Sequence, residues 1–329
     1  MGKSRANTVK IVSAALFLLV LLVVVPLLIA ATGRSDLYYT LTSVALLSII
    51  SAGVWITFYI GRINIGQGAY ALIGGYVSAS LVMNYGVSFW LTLPLAGLFC
   101  AAASVLIGLP ILRLRGVYFA MVTLVLTEVT RLLALAVPTI TNGASGIVSI
   151  PLPAGISFFG ITLVPDFATL ANPRLAFYIV SVLLMALCFL GLYRLAHSRI
   201  GQLCQSLQQN EELASSIGVN IAYLRVIAYA LSSFLGGVGG AMFASISQSI
   251  YPSSFTVADS VNFMLNCFLG GLGYVLGPML GTFVLYFGWD LLFETGEFQL
   301  LIFSTVLIAL MLVLPNGLLS LTLPHKRRA

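Results

Sequence analysis

Ten apolar runs, each close to twenty residues long, follow one another along this chain with little charge between them. A bilayer core is about 30 Å thick and takes roughly 20 residues of helix to cross. The chain is 60% apolar and 7% charged, whereas soluble domains carry about 25% charged residues. That excludes an ordinary soluble fold. A membrane β-barrel would instead alternate polar and apolar residues in segments of about ten. The expected fold is therefore an all-α, polytopic membrane protein. The spans fall near 11–31, 39–60, 64–84, 88–110, 117–137, 174–194, 225–246, 259–275, 277–293 and 299–319. They leave no room for a soluble domain, so 1–329 reads as one membrane domain.

Charge supports this count. Lys and Arg concentrate on the cytoplasmic side of membrane proteins. With the N-terminus inside, Lys3, Arg5, Lys10, Arg62, Arg113, Arg115, Arg194, Arg199, Arg225, Lys326, Arg327 and Arg328 all fall on that side. Arg34 and Arg174 fall outside, and Arg131 lies within a span. Asp36, Asp166, Glu294 and Glu297 fall on the outer side. The net charge of +6 is thus topological, and no nucleic-acid partner is expected, since the cations sit singly at helix ends. The expectation is a multi-pass bacterial inner-membrane protein with both termini cytoplasmic. The first run resembles a signal peptide but is longer than the usual apolar region, so a retained span is the preferred reading.

Catalytic chemistry is sparse. The only lysines are Lys3, Lys10 and Lys326, all in the tails, and Gly2-Lys3-Ser4 does not follow a glycine loop, so the sequence holds no complete Gly-x-x-x-x-Gly-Lys-Ser/Thr phosphate loop. His197 and His325 are the only histidines. Cys100, Cys188, Cys204 and Cys267 have no metal or redox spacing. No enzyme, metal site or cofactor is expected in this chain. Glu128 and Arg131 lie three apart within a span, on one helix face where they can neutralise each other. Two readings fit: a pair in the transport path, or a structural pair between helices. Asp259 and Asp290 are expected at the outer interface.

Glycine clusters mark places where helices approach closely or unwind. They are Gly66, Gly68, Gly74 and Gly75; Gly236, Gly237, Gly239 and Gly240; and Gly270, Gly271, Gly273, Gly277 and Gly281. Pro278 after the third cluster points to a broken helix, whose free N–H groups could hold a carboxylate. The first and third clusters sit comparably in two halves offset by five spans, which would make an inverted repeat. The connection at 138–173, with Pro138, Pro151, Pro153 and Pro165, is expected to line an outer vestibule or meet an external partner.

The segment 198–220 is polar where its neighbours are not. Ser198 can cap its start and Gly218 its end. Leu203, Leu207, Ala214 and Ile217 recur along one side. A helix lying on lipid favours Lys and Arg, whereas this one carries Glu211 and Glu212, which favours a protein partner.

Eight stretches in order carry a family resemblance: I-N-I-G-Q-G-A-Y (63–70), L-R-G-V-Y-F-A-M-V-T-L (114–124), E-V-T-R-L (128–132), T-N-G-A-S-G-I (141–147), S-R-I-G-Q (198–202), N-E-E-L-A-S-S-I-G-V-N (210–220), Y-P-S-S-F (251–255) and L-G-G-L-G-Y-V-L-G-P-M-L-G (269–281). From about Tyr59 to Leu318 the chain resembles LivM-type permease subunits of branched-chain amino acid ABC importers. The resemblance implies that 198–220 is a coupling helix docked on an ATPase, through Asn210, Glu211, Ala214 and Gly218. It implies two ATPase subunits that bind ATP and Mg, a second permease subunit and an external solute-binding protein. Gly66, Gln67, Gly68, Gly271 and Gly273, with Glu128 and Arg131, are the pathway candidates. The sequence departs from the family at Gln67 and Val117, where His and an acid are common, and at Gln205 and Gln208, where arginines are usual. The expected cargo is branched-chain amino acids or a similar zwitterionic or amide solute. A stand-alone carrier or channel, a urea or amide permease, and a membrane scaffold are the other readings.

Overall fold

The computed structural model describes residues 20–32, 36–114, 116–158, 161–164, 166–170, 172–216 and 218–321. The choice between leader and first span, Lys3, Arg5, Lys10, Arg34, Arg115, Ile217, His325 and 326–328 lie outside the described residues.

Among the described residues, helix lies within each of the ten expected regions. A π-helical turn at Val20–Val24 leads into α1 (Val25–Thr32). Then come α2 (Asp36–Phe58), α3 (Gln67–Tyr85), α4 (Phe89–Ile111), α5 (Val117–Ala136) and the short α6 (Pro138–Thr141). After the long connection follow α7 (Pro173–Ala196), α8 (Arg199–Gln209), α9 (Glu211–Ser216) and α10 (Ile221–Ser247). The chain closes with α11 (Val257–Gly270), α12 (Gly277–Leu291) and α13 (Gln299–Val313). Six segments are long and apolar enough to cross a bilayer: Asp36–Phe58, Phe89–Ile111, Val117–Ala136, Pro173–Ala196, Ile221–Ser247 and Gly296–Val313.

The eighth and ninth regions are shorter than expected. α11 has 14 residues and α12 has 15, about 22 Å at 1.5 Å per residue against the 30 Å of a bilayer core. Local chemistry trims α11 at both ends. Thr256 and Asp259 form a reciprocal capping box at its start, and Gly271, at φ 110°, turns the chain at its end. The break near Pro278 is therefore a hairpin turn. α11 and α12 pack antiparallel, with Gly270 against the Gly277 backbone and Gly281 against the Asn266 backbone.

α10 is the central post. It packs along α2, α3 and α4, and its middle is buried from Leu235 to Met242. The approach to α3 is close because glycine meets backbone. A β-carbon on Gly240 would fall on the carbonyl of Ala71, and one on Gly74 would fall on the Gly237 backbone. Contacts climb together along the two helices, from Gly236 with Tyr70 to Gly240 with Gly75, so α3 and α10 run parallel.

The connection at 138–173 is folded. Ile147 pairs with Ile250 and Val148 with Ser249, which ties it to the end of α10. A second antiparallel pair joins Ile156–Phe158 to Ile161–Val164. Buried Phe167 packs edge-on against Phe177 and Trp90, whose Nε1 donates to Ala154 O at 2.9 Å. Two small strand pairs thus decorate an otherwise helical fold.

The polar segment differs from expectation as well. It is two helices, because Asn210 is extended (φ −156°, ψ 113°). Asn210 Oδ1 accepts from the amides of Glu212 and Leu213 and starts α9 anew. Ser198 Oγ caps α8 by accepting from Gly201 N at 3.2 Å, and Gly218, at φ 80°, turns the chain after α9.

Replacing Gly240 by leucine forces α3 and α10 apart at their tightest point, an overpacking cost of about 3 kcal/mol or more. The expected outcome is loss of folded protein by detergent size-exclusion yield. Gly191→Leu, with open space around its α-carbon, leaves that yield intact.

Candidate functional site

α2 ends at Phe58, and the chain then runs without helix through Ile63–Gly66 before α3 begins at Gln67. Gln67 contacts Ser232, eleven residues into α10, so α3 starts about 16 Å along that helix. This is near the middle of a bilayer. α11 begins beside the same place: Ser260, in its first turn, accepts from Gly68 N at 3.0 Å and lies 3.1 Å from Thr127 Oγ1 of α5. It then runs toward the end of α2, where Trp55 Nε1 donates to Leu272 O at 2.9 Å. Two helix N-termini thus meet at one depth and point their helices in opposite directions.

Unwound backbone at bilayer depth costs several kcal/mol per unpaired group unless protein shields and satisfies it. Here side chains do that. Gly66 N donates to Asn64 Oδ1 at 2.9 Å and Ile65 N to Thr123 Oγ1 at 3.1 Å. Gln67 Nε2 donates to Ser232 O at 2.8 Å, while its Oε1 accepts from Ser232 Oγ at 3.0 Å and from Asn64 Nδ2 at 3.3 Å. Asn64, Gln67, Thr123, Thr127, Ser232 and Ser260 are all buried. Gly53 of α2 leaves the room for the Gln67 amide, which a β-carbon there would strike. Arg62, also buried, donates to Leu114 O and lies 5.9 Å over the Phe119 ring, fixing the start of the unwound segment.

Asp259 is not at an outer interface. It sits next to Ser260 at this depth and accepts from Thr256 N and Oγ1, both at 2.7 Å. Asp290, in contrast, ends α12.

The structure brings Gly66, Gln67 and Gly68 together with residues that the sequence did not single out: Asn64, Thr123, Thr127, Ser232 and Ser260. Single hydroxyls on apolar helices give no periodic signal, so topology alone reveals them. Gly271 and Gly273 do not join this cluster. They form the α11–α12 turn, where Gly271 lies against Asn316 O and Gly317. The first cluster opens α3, whereas the third closes α11 at Gly270 and Gly271 and opens α12 at Gly277.

Glu128 and Arg131 do pair, with Arg131 Nη2 2.6 Å from Glu128 Oε1, and both remain partly exposed on α5. That helix is otherwise an apolar surface of Val117, Tyr118, Met121, Val125 and Leu132.

On the polar helices, Gly201, Cys204, Leu207 and Ala214 face inward. Burial pushes the Cys204 thiol up. Ala214 is 2% exposed. Glu211 is turned onto Arg225, whose Nη2 donates to Glu211 Oε2 at 2.6 Å. Asn210 is exposed but serves as a cap. Leu203, Gln209, Glu212 and Leu213 are among the residues that project, with Leu213 66% exposed. An exposed leucine on a short polar helix is the missed signal. All four cysteines are free, and the described residues hold no metal-binding group of His, Cys, Asp and Glu.

Helices that break at mid-depth around a protein-shielded polar cluster define a class, the polytopic helical transport proteins. The chain belongs to the family of branched-chain amino acid transport system permease components, whose model matches residues 37–315. It is 34% identical over 277 residues to the high-affinity branched-chain amino acid transport system permease protein LivM of Salmonella typhimurium, and 33% to that of Escherichia coli. Each match covers 80% of this chain and 65% of the relative, so the chain spans about two thirds of the length of these relatives. A probable branched-chain amino acid permease protein LivH of Methanocaldococcus jannaschii is 26% identical over 83% of this chain and 88% of its own. No solved structure matches.

Gln67→Leu removes both ends of the Ser232 bridge and strands buried polar groups, at about 1–3 kcal/mol. The expected outcome is a lower thermal midpoint for the purified protein in detergent. Ser260→Ala, which strands the Gly68 amide, lowers it by a comparable amount.

Proposed function

We propose that this chain is the membrane permease of an ATP-driven importer, working by alternating access and carrying branched-chain amino acids or a similar small zwitterionic or amide solute. The mid-depth cluster around Gln67 carries this reading, because it joins unwound backbone to two helix N-termini inside a shielded core. A solute carboxylate is suited to such a place, since helix N-termini favour negative charge. The Gly66 and Gly68 amides that would meet it are held by Asn64 and Ser260, so this is a closed state that opening must rearrange.

The energy source lies outside the chain, whose sequence holds no complete Gly-x-x-x-x-Gly-Lys-Ser/Thr loop. Two partner ATPases bind ATP and Mg and dock on the α8–α9 pair from the cytoplasm. The contact face is Leu203, Glu212 and Leu213, while Ala214, Asn210 and Gly218 shape it from behind. A second permease subunit, usually unlike this one, sits against α5. A Glu–Arg pair half exposed to lipid would be costly, and a facing subunit would enclose Glu128 and Arg131 along the path. The folded 138–173 segment, on the opposite end from α8, receives the solute-binding protein. Both termini are cytoplasmic, as the Lys and Arg distribution favours, in a bacterial inner membrane.

An inverted repeat fits the architecture. α3 and α11 are its matching broken helices, starting at one depth and running oppositely, each after an unwound entry. α2 to α5 then match α10 to α13. This pairing sets α3 against α11 by their N-termini, not by their glycine clusters.

Leu213→Arg and Ala214→Arg should each abolish solute uptake in cells expressing the whole transporter, and the ATPase should no longer co-purify, while membrane insertion continues. Uptake that persists after deletion of the ATPases would instead identify a stand-alone carrier.

A further inference from the structure

Two side chains bolt the α8–α9 pair to the membrane helices, and both routes lead to Gln67. Gln208, near the end of α8, donates its Nε2 to Phe58 O at 3.1 Å. That carbonyl ends α2, and the unwound segment toward Gly66 starts there. The second route is through α10. Arg225 is buried in its second turn and bonds Glu211, the first residue of α9. Arg225, Tyr229 and Ser232 are spaced by four and three, so they share one face of α10. Tyr229 OH accepts from Tyr70 OH of α3 at 3.0 Å, and Ser232 holds Gln67 by two bonds. Gly236 continues this face against Gln67 and Tyr70.

We propose that Glu211, Arg225, Tyr229 and Ser232 are positioning residues that form a rigid link from the ATPase-docking helices to the broken start of α3. The inference rests on the importer reading above. A charge-assisted pair with both partners largely enclosed is among the stronger side-chain bonds, so α9 cannot shift without α10. α10 runs 27 residues without a proline, so a displacement at Arg225 reaches Ser232 undiminished. Ser232 then drags or releases Gln67, and with it the amides of Gly66 and Gly68. Glu211 therefore points its charge at its own chain, where it transmits motion, and leaves docking to Leu213 and Glu212.

The test uses the whole transporter in proteoliposomes and reads solute moved per ATP hydrolysed. Ser232→Ala and Tyr229→Phe each delete one hydroxyl of the link and keep every charge. Each is expected to lower the ratio about fivefold, the effect of losing one buried hydrogen bond from a coupling energy of this kind. Glu211→Arg alone and Arg225→Glu alone are expected to lower it further, and the two together to restore it. An unchanged ratio in Ser232→Ala and Tyr229→Phe overturns the link, as does a charge swap that recovers nothing. Where a single charge variant fails to assemble, the two hydroxyl variants decide. Uptake that persists with no ATPase overturns the importer reading and the link with it. An unchanged ratio in a transporter that still needs ATP overturns the link alone.

Discussion

The bonds between Gln67 and Ser232 are the constraint on which the rest of the structure depends. A helix that begins in the middle of a bilayer exposes amides that lipid cannot satisfy. Gln67 returns the chain to protein by bonding both the hydroxyl and the carbonyl of Ser232. That fixes the depth of α3 against α10, and the glycines above it set the distance. Gly240 and Gly74 let the two backbones touch, so the amide of Gln67 reaches its partner without strain. Gly53 completes the fit by leaving α2 without a side chain where that amide sits. Packing and polar satisfaction are here one requirement.

The same economy appears at the cytoplasmic end. Asn210 ends one helix and starts another within a single residue. The break lets α8 present Cys204 and Leu207 to the core, while α9 turns Glu211 onto Arg225. A single straight helix would carry both faces on one axis and could not make the two contacts at once. Gln208 spends its amide on Phe58 O within the chain.

Much of this was legible in the sequence. The apolar runs coincide with helix among the described residues, and six of these segments are long and apolar enough to cross a bilayer, because hydrophobic length is a strong signal and charge at the loops reinforces it. The cap at Ser198 and the Glu128–Arg131 pair were readable because they depend on residues three apart. Depth was not readable. Nothing in the order of residues says that Gln67, Thr127, Ser232 and Ser260 share one level, since their contacts join positions far apart in the chain. Nor could composition tell which side of the polar segment faces in. Ala214 looked like a contact residue and is buried, whereas Leu203, on the side that reads as apolar, is exposed, as is Leu213. A one-residue rotation on a short helix reverses such an assignment, and the Asn210 break supplied it.

The meeting of α3 and α11 has an electrical consequence. Each helix start carries about half a positive charge from its aligned peptide dipoles, and two such ends converge beside Gly68 and Ser260. No mobile ion is needed to create this charge. At the start of α11 the Asp259 carboxylate answers that charge from within the chain, accepting from Thr256 N and Oγ1, whereas the start of α3 is answered only by the neutral oxygens of Asn64 and Ser260.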